Sequence, residues 1–169
     1  MLTQTETGRE FEQYAETGTA FIETLGSGLG TAHNPKRTLR ILQRVFMGLR
    51  CHLPFHESIN TIEVLPMAIR GLYVEGWELR NNSPRLTTVD DFVQEVRGST
   101  GGKDFSHTEE VITAALAVIE TIAAYAFPDE DGHGIDRLPR GLVNLYRTLL
   151  RISTRTGYSY KRAQQRLTR

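Results

Sequence analysis

Apolar residues recur along this chain at spacings of three and four positions, which is the period of an amphipathic α-helix. No stretch alternates β-branched or aromatic residues with polar ones, so the pattern predicts no strands. We therefore expect an all-α fold, a compact helical bundle. The expected helices cover about residues 9–25, 35–53, 56–65, 66–75, 88–96, 107–127 and 139–152.

Three helix starts carry residues typical of N-caps. They are Asn34 before Pro35, Thr88 with Asp91 three residues later, and Ser106 with Glu109 three residues later. The first helix is expected to end where glycines crowd the segment GSGLGTAHNP, residues 26–35. The helix at 107–127 is apolar nearly all round, which predicts a central position in the bundle.

The segment LPMAIRGLYVEGW, residues 65–77, contains a helix with a sharp start and a sharp end. Pro66 disfavours helical backbone at the residue before it and suits the start of a new helix. Gly76 is placed to adopt the left-handed conformation past the helix end, with Trp77 folding back on Leu72. A buried Trp77 would anchor this turn, whereas an exposed one would indicate a binding surface.

Part of this segment recurs 73 positions later: Leu65, Pro66, Leu72 and Tyr73 fall on Leu138, Pro139, Leu145 and Tyr146. We predict one domain over 1–169 made of two tandem helical repeats, about 9–80 and 88–152, followed by a basic tail, 153–169. The long helices of the two repeats are expected to pack side by side, with the short helices closing over them. The structural signature is Leu65, Pro66, Tyr73, Gly76, Trp77, Leu138, Pro139 and Tyr146.

This segment, with RTLRILQRVFMGLRCHLP before it and TTVDDFVQEV after it, resembles the bacterial proteins of domain of unknown function 2267. The residues that match the family pattern are Leu65, Pro66, Arg70, Gly71, Tyr73, Glu75, Gly76 and Trp77. The resemblance covers most of residues 10–150 and departs at Val64 and in the second repeat, which has no Glu-Gly-Trp. It implies a small helical bacterial protein and assigns no activity, so no catalytic residue is carried over.

Composition supports an ordinary globular chain, with 39% hydrophobic and 24% charged residues in 169. A single cysteine, Cys51, excludes an internal disulfide framework and fits a reducing compartment. The first residues lack the pattern of a secretory signal. The most apolar stretch, 111–127, carries Glu120 and is short for a membrane span. We expect a cytoplasmic protein with no membrane partner.

One cluster, CHLPFHE, offers Cys51, His52, His56 and Glu57 as side chains chemically able to bind zinc. Pro54 interrupts the helix between the histidines, so the geometry of a helical His pair is not expected. An ordinary helix end is the favoured interpretation, and we predict no metal and no cofactor.

Two predicted loops match the sequence motifs of ligand-binding loops only in part. RGSTGGKD, residues 97–104, has Arg97 in place of the first glycine of a phosphate loop, Asp104 in place of its Ser or Thr, and no preceding strand. The acidic turn DEDGHG, residues 129–134, lacks the spaced oxygen ligands of a calcium loop. We interpret the first as a helix connector and the second as a solvated turn.

Charge is zero overall but unevenly distributed. Residues 1–30 hold five acids against Arg9, whereas nine basic residues and no acid follow Asp136. We expect a non-catalytic protein-binding or regulatory module that self-associates or binds a protein partner. The alternative is nucleic-acid or anionic-ligand binding through Arg147, Arg151, Arg155, Lys161, Arg162 and Arg166. An enzyme is a third hypothesis, which no nucleophile, base or cofactor motif supports.

Overall fold

The structure is a computed structural model that describes residues 4–78, 87–98, 103–128 and 134–155. In these ranges it contains seven α-helices, one 3-10 helix and no strand, which confirms the all-α prediction. The α-helices are α1 Gln4–Leu29, α2 Pro35–His52, α3 Phe55–Val64, α4 Met67–Val74, α5 Val89–Arg97, α6 Thr108–Ala126 and α7 Arg140–Arg155, and the 3-10 helix is Gly134–Arg137.

The core is built around α6, which is buried along most of its length and contacts α1, α2, α5 and α7. This confirms the central position predicted from its apolar surface. The second half of α1 packs against α6 through residues such as Phe21 and Leu25, both fully buried. The long helices α2 and α6 also contact each other, as expected from the sequence. None of the helices in the described ranges is long and apolar enough to cross a membrane.

Two of the predicted N-caps are confirmed and one is wrong by a residue. Asn34 accepts a hydrogen bond from the N–H of Arg37, and Thr88 forms a reciprocal capping box with the acid three residues later. The cap of α6, however, is His107 rather than Ser106. Glu110, rather than Glu109, accepts the backbone N–H groups of these two residues. Two consecutive glutamates made either register compatible with the sequence pattern.

The predicted end of α1 at about residue 25 is also wrong, because the helix continues to Leu29. Gly26 remains helical and buried, and its Cα faces the Thr38 hydroxyl of α2 closely enough that a Cβ would lie 3.1 Å from it. The helix ends at Gly30, which has a left-handed φ of 69°. Tertiary packing therefore overrides the weak helix propensity of the glycines.

Helix starts agree with the offset on which the predicted repeat is based. Helices α2 and α6 begin at Pro35 and Thr108, and helices α4 and α7 begin at Met67 and Arg140. Each pair is separated by 73 positions. The tandem repeat and its bounds nevertheless stay a prediction, since equal helix starts do not establish common origin.

Helices α2 and α5 pack closely at Gly48. A Cβ added to this glycine would lie 2.5 Å from Val96 Cγ2 and 2.9 Å from Phe92 Cε2. We predict that Gly48→Ala lowers the free energy of unfolding by about 1–3 kcal/mol, because the added methyl overpacks this contact. Gly71→Ala, in α4, is the matched control, since nothing lies within 4 Å of a Cβ there.

The control substitution should raise the free energy of unfolding by up to about 1 kcal/mol, through helix propensity alone. Urea titrations of both variants measure the two effects. Equal stabilisation by the two alanines would show that the α2–α5 contact is loose.

Candidate functional site

The junction between α3 and α4 is closed by an arginine that caps the preceding helix. Leu65 is buried with an extended backbone, and Pro66 is the N-cap of α4. Arg70 donates from Nε to the carbonyl of Leu65 (3.0 Å) and from Nη2 to the carbonyl of Glu63 (3.1 Å). The Leu-Pro break is therefore a corner whose free carbonyls are satisfied by the next helix.

Tyr73 is the largest fully buried side chain among the described residues, and it connects this corner to the core. Its hydroxyl lies 3.0 Å from Ser58 Oγ, and its ring meets Phe46 edge-on at a centroid distance of 5.0 Å. Burial raises the pKa of Tyr73 to about 12, since the ionised phenolate would lose its hydration. The residue is a structural anchor.

The predicted left-handed conformation past the end of α4 is confirmed, with Gly76 at a φ of 66°. The contact of Trp77 with Leu72 stays a prediction. Trp77 is half-buried, and its ring lies between Phe55 (5.7 Å between centroids) and Tyr73 (6.0 Å). Arg50 donates to the carbonyl of Glu75 at 2.7 Å, which caps the helix end. Trp77 is thus held at the junction as a partly buried anchor.

In the second half of the chain the corresponding positions have different partners. Leu138 is buried, and the Tyr146 hydroxyl donates to Glu120 Oε1 at 2.7 Å. The carboxylate of Glu57, from α3, accepts the Gly141 N–H at 3.0 Å near the start of α7, whose preceding residue is Pro139. The signature residues of both halves therefore connect helix ends within the bundle.

The residues of the CHLPFHE cluster are not brought together for metal binding. Cys51 is buried, whereas the His56 side chain is 75% exposed and 3.8 Å from a Glu57 oxygen. His52 packs edge-on against Phe92 at 5.7 Å between centroids. Among the described residues, no three His, Cys, Asp or Glu side chains form a group that could hold a metal ion.

The first half of α1 has an exposed apolar stripe that sequence reasoning did not single out. Every residue from 6 to 16 is exposed except Thr7, which is partly covered. Phe11 is 69% and Tyr14 39% exposed, and the two rings contact each other edge to face at 6.3 Å. Their three-residue spacing continues the stripe that carries Phe21 and Leu25 into the core.

Three of the six predicted basic residues lie on one exposed face of α7. Arg147, Arg151 and Arg155 share this face with Arg140, which the sequence analysis did not include, and we call these four residues the basic ridge. Arg147 forms an exposed ion pair with Asp136 at 2.8 Å. Lys161, Arg162 and Arg166, also predicted, lie outside the described residues.

Together, the buried helix junctions and the exposed charged surfaces define a small helical scaffold whose α1 and α7 surfaces carry opposite charge. The profile of the family described as "Uncharacterized conserved protein (DUF2267)" matches residues 19–145. The chain therefore belongs to that family, which confirms the resemblance seen in the sequence. A comparison with curated proteins finds no match.

The buried hydroxyl of Tyr73 predicts a loss of stability at high pH. Its pKa is 10.0 in the unfolded chain and about 12 in the folded one, so the free energy of unfolding should fall as pH rises from 10 to 12. The expected fall is about 2–3 kcal/mol, which denaturant titrations across this range measure.

The matched variant combines Tyr73→Phe with Ser58→Ala, which removes both partners of the buried hydroxyl pair together. Its pH dependence above 10 should be shallower than that of the wild type. A remaining slope is expected from Tyr146, whose pKa is raised by burial and by the hydrogen bond to Glu120. An unchanged slope in the double variant would contradict the assignment to Tyr73.

Proposed function

We propose that this protein is a non-catalytic interaction module that self-associates, with the first half of α1 of one copy bound to the basic ridge of a second. The observation that carries the proposal is the exposed pair Phe11 and Tyr14, which continues a core-forming stripe beyond the bundle. Covering an exposed apolar stripe of this kind with a partner surface removes it from water and so stabilises the complex.

The charges on the first half of α1 indicate which surface of the second copy it binds. The exposed half of α1 carries Glu6, Glu10, Glu12 and Glu16 with Arg9 as the only base, so pairing of two α1 helices would bring like charges together. The basic ridge on α7 has the opposite sign. Residues 6–17 span about 18 Å and residues 140–155 about 24 Å at the rise of an α-helix, so the two surfaces are comparable in length.

Arginine and aromatic side chains are suited to this contact. A guanidinium group stacks on the face of an aromatic ring, and Arg151 and Arg155 are exposed at the ridge for such a contact with Phe11 or Tyr14. Each copy has both surfaces, so a two-fold dimer would make the contact twice. This arrangement predicts a dimer that weakens with added salt.

Sedimentation equilibrium over a range of protein concentrations tests the proposal. We expect dimers at low ionic strength. Phe11→Ala combined with Tyr14→Ala should raise the dissociation constant of the dimer at least about tenfold, because the apolar area that the two rings bury in the dimer is lost. Both side chains are exposed, so the fold should survive, as circular dichroism can check. A wild-type protein that stays monomeric at every concentration would refute self-association.

A charge swap tests the predicted orientation of the two surfaces. Glu10→Lys and Arg151→Glu should each weaken the dimer, and the two together should restore it, because the new lysine then meets the new glutamate. Glu63→Lys makes the same charge change on the exposed surface of α3 and should have little effect. If the double variant is no tighter than the two single ones, another surface covers α1.

Nucleic-acid binding through the basic ridge is the second candidate, because its arginines are exposed along one face. Binding to mixed RNA or duplex DNA should then fall steeply with salt, with a slope of about −0.9 per phosphate contact for duplex DNA. Arg151→Glu with Arg155→Glu should abolish this binding, whereas the Phe11 and Tyr14 substitutions should not. Absence of binding at low ionic strength would exclude this alternative.

A further inference from the structure

A separate group of cationic side chains lines an open cleft of about 260 Å³ between α2 and the segment that precedes α6. Its charged residues are Arg40, Arg44, Arg97, Lys103 and Asp104. Phe105, almost fully buried, contributes an apolar wall. The cleft is distinct from the basic ridge, which lies on α7.

Two arginines are fixed in the cleft by neutral carbonyl groups. Arg44 donates from Nε to the carbonyl of Val96 (3.0 Å) and from Nη2 to that of Glu95 (2.9 Å), at the end of α5. Arg97 donates from Nη2 to the carbonyl of Ser106 at 3.1 Å. A carbonyl orients a guanidinium without cancelling its charge, so both residues keep a full positive charge and further N–H groups.

The Arg44 guanidinium occupies space that the backbone leaves open. Gly98 has a left-handed φ of 77°, and a Cβ at this position would overlap the guanidinium of Arg44. The end of α5 is therefore shaped around the charged group. Such a preorganised cation loses little side-chain entropy when an anion binds.

The carboxylates near the cleft do not balance its positive charge. Asp104 is engaged by Arg40 in a two-point contact, with 2.9 Å from Nη2 and 3.2 Å from Nε. Glu75 lies at the edge, where it accepts a hydrogen bond from Gln43. Within the described ranges, Lys103 has neither an ion pair nor a hydrogen bond. Four cations thus face two acids, and an anion would relieve their mutual repulsion.

We propose that this cleft binds the phosphate group of a small phosphate monoester. A monoester carries up to two negative charges, which match the surplus in the cleft. Guanidinium groups recognise phosphate oxygens through paired N–H donors, and Lys103 adds a mobile point charge. The Phe105 wall suits the organic part of the ligand, and the volume fits a small molecule better than a macromolecule.

The site also gives part of the RGSTGGKD segment a role other than that of a plain connector. Arg97 and Asp104, at its two ends, lie in the cleft, although the segment has no strand before it. Residues 99–102 lie outside the described residues and are not part of the proposed site. The binding groups come from α2, the end of α5 and residues 103–105.

Isothermal titration of the full chain with inorganic phosphate and with phenyl phosphate tests the proposal. Both should bind saturably, and phenyl phosphate should bind more tightly because its ring can contact Phe105. Lys103→Gln combined with Arg97→Gln should weaken binding at least about tenfold, since two charge-assisted contacts are lost. Neither side chain is buried, so the helical content should be unchanged.

Arg155→Gln, which removes one charge from the basic ridge, is the matched control and should bind both phosphates like the wild type. Benzoate, with one charge and the same ring, should bind much more weakly than phenyl phosphate. The proposal would be overturned if neither phosphate binds, or if the double variant binds them as well as the wild type. It would also be overturned if a thymidine oligonucleotide outcompetes phenyl phosphate at equal phosphate concentration, because the site would then serve phosphodiester polyanions.

Discussion

The bundle depends on close contact between helices at positions that carry no side chain. Besides Gly48 at the α2–α5 contact, Gly18 of α1 lies so near α4 that a Cβ would stand 2.8 Å from Ala68 Cβ. Gly141 of α7 is similarly close to Leu53. Interiors are packed at crystal-like density, so each of these approaches fixes the separation of two helices. The polar contacts at the helix ends follow from these separations.

The α2–α5 contact shows how packing positions a charged group. Arg44 lies one turn before Gly48 on α2, and the close approach at the glycine brings its guanidinium to the last carbonyls of α5. In the same way, the approach at Gly141 lets the Glu57 carboxylate accept the Gly141 N–H in the first turn of α7. Cations at helix C-termini and anions at N-termini complement the helix dipole. These charges stabilise the fold first, and among the described residues Arg44 lines the cleft without a carboxylate partner.

Local signals in the sequence were enough to predict the helices and most caps. Each cap depends only on residues within a few positions of it, so the roles of Asn34, Thr88 and Gly76 could be derived from spacing alone. The continuation of α1 through Gly26 could not, because it depends on contact with α2. The cationic cleft could not be predicted for the same reason: its two groups of residues, 40–44 and 97–105, are separated by more than fifty positions and meet only through the packing of α2 against α5.

The exposed surfaces lie where the two proposed repeats differ. At the offset of 73, α5 corresponds to residues 16–24 of α1, and α4 corresponds to residues 140–147 of α7. Residues 6–15 of α1 and 148–155 of α7 lie outside these matched stretches. Arg40 and Arg44 fall on Thr113 and Ala117 of α6, which has no cationic side chain to offer. If both halves share one packing plan, the shared residues specify the scaffold, and function is expected among the additions. This is the physical reason to propose binding roles for α1, α7 and the cleft, and a stabilising role for the Leu-Pro corners.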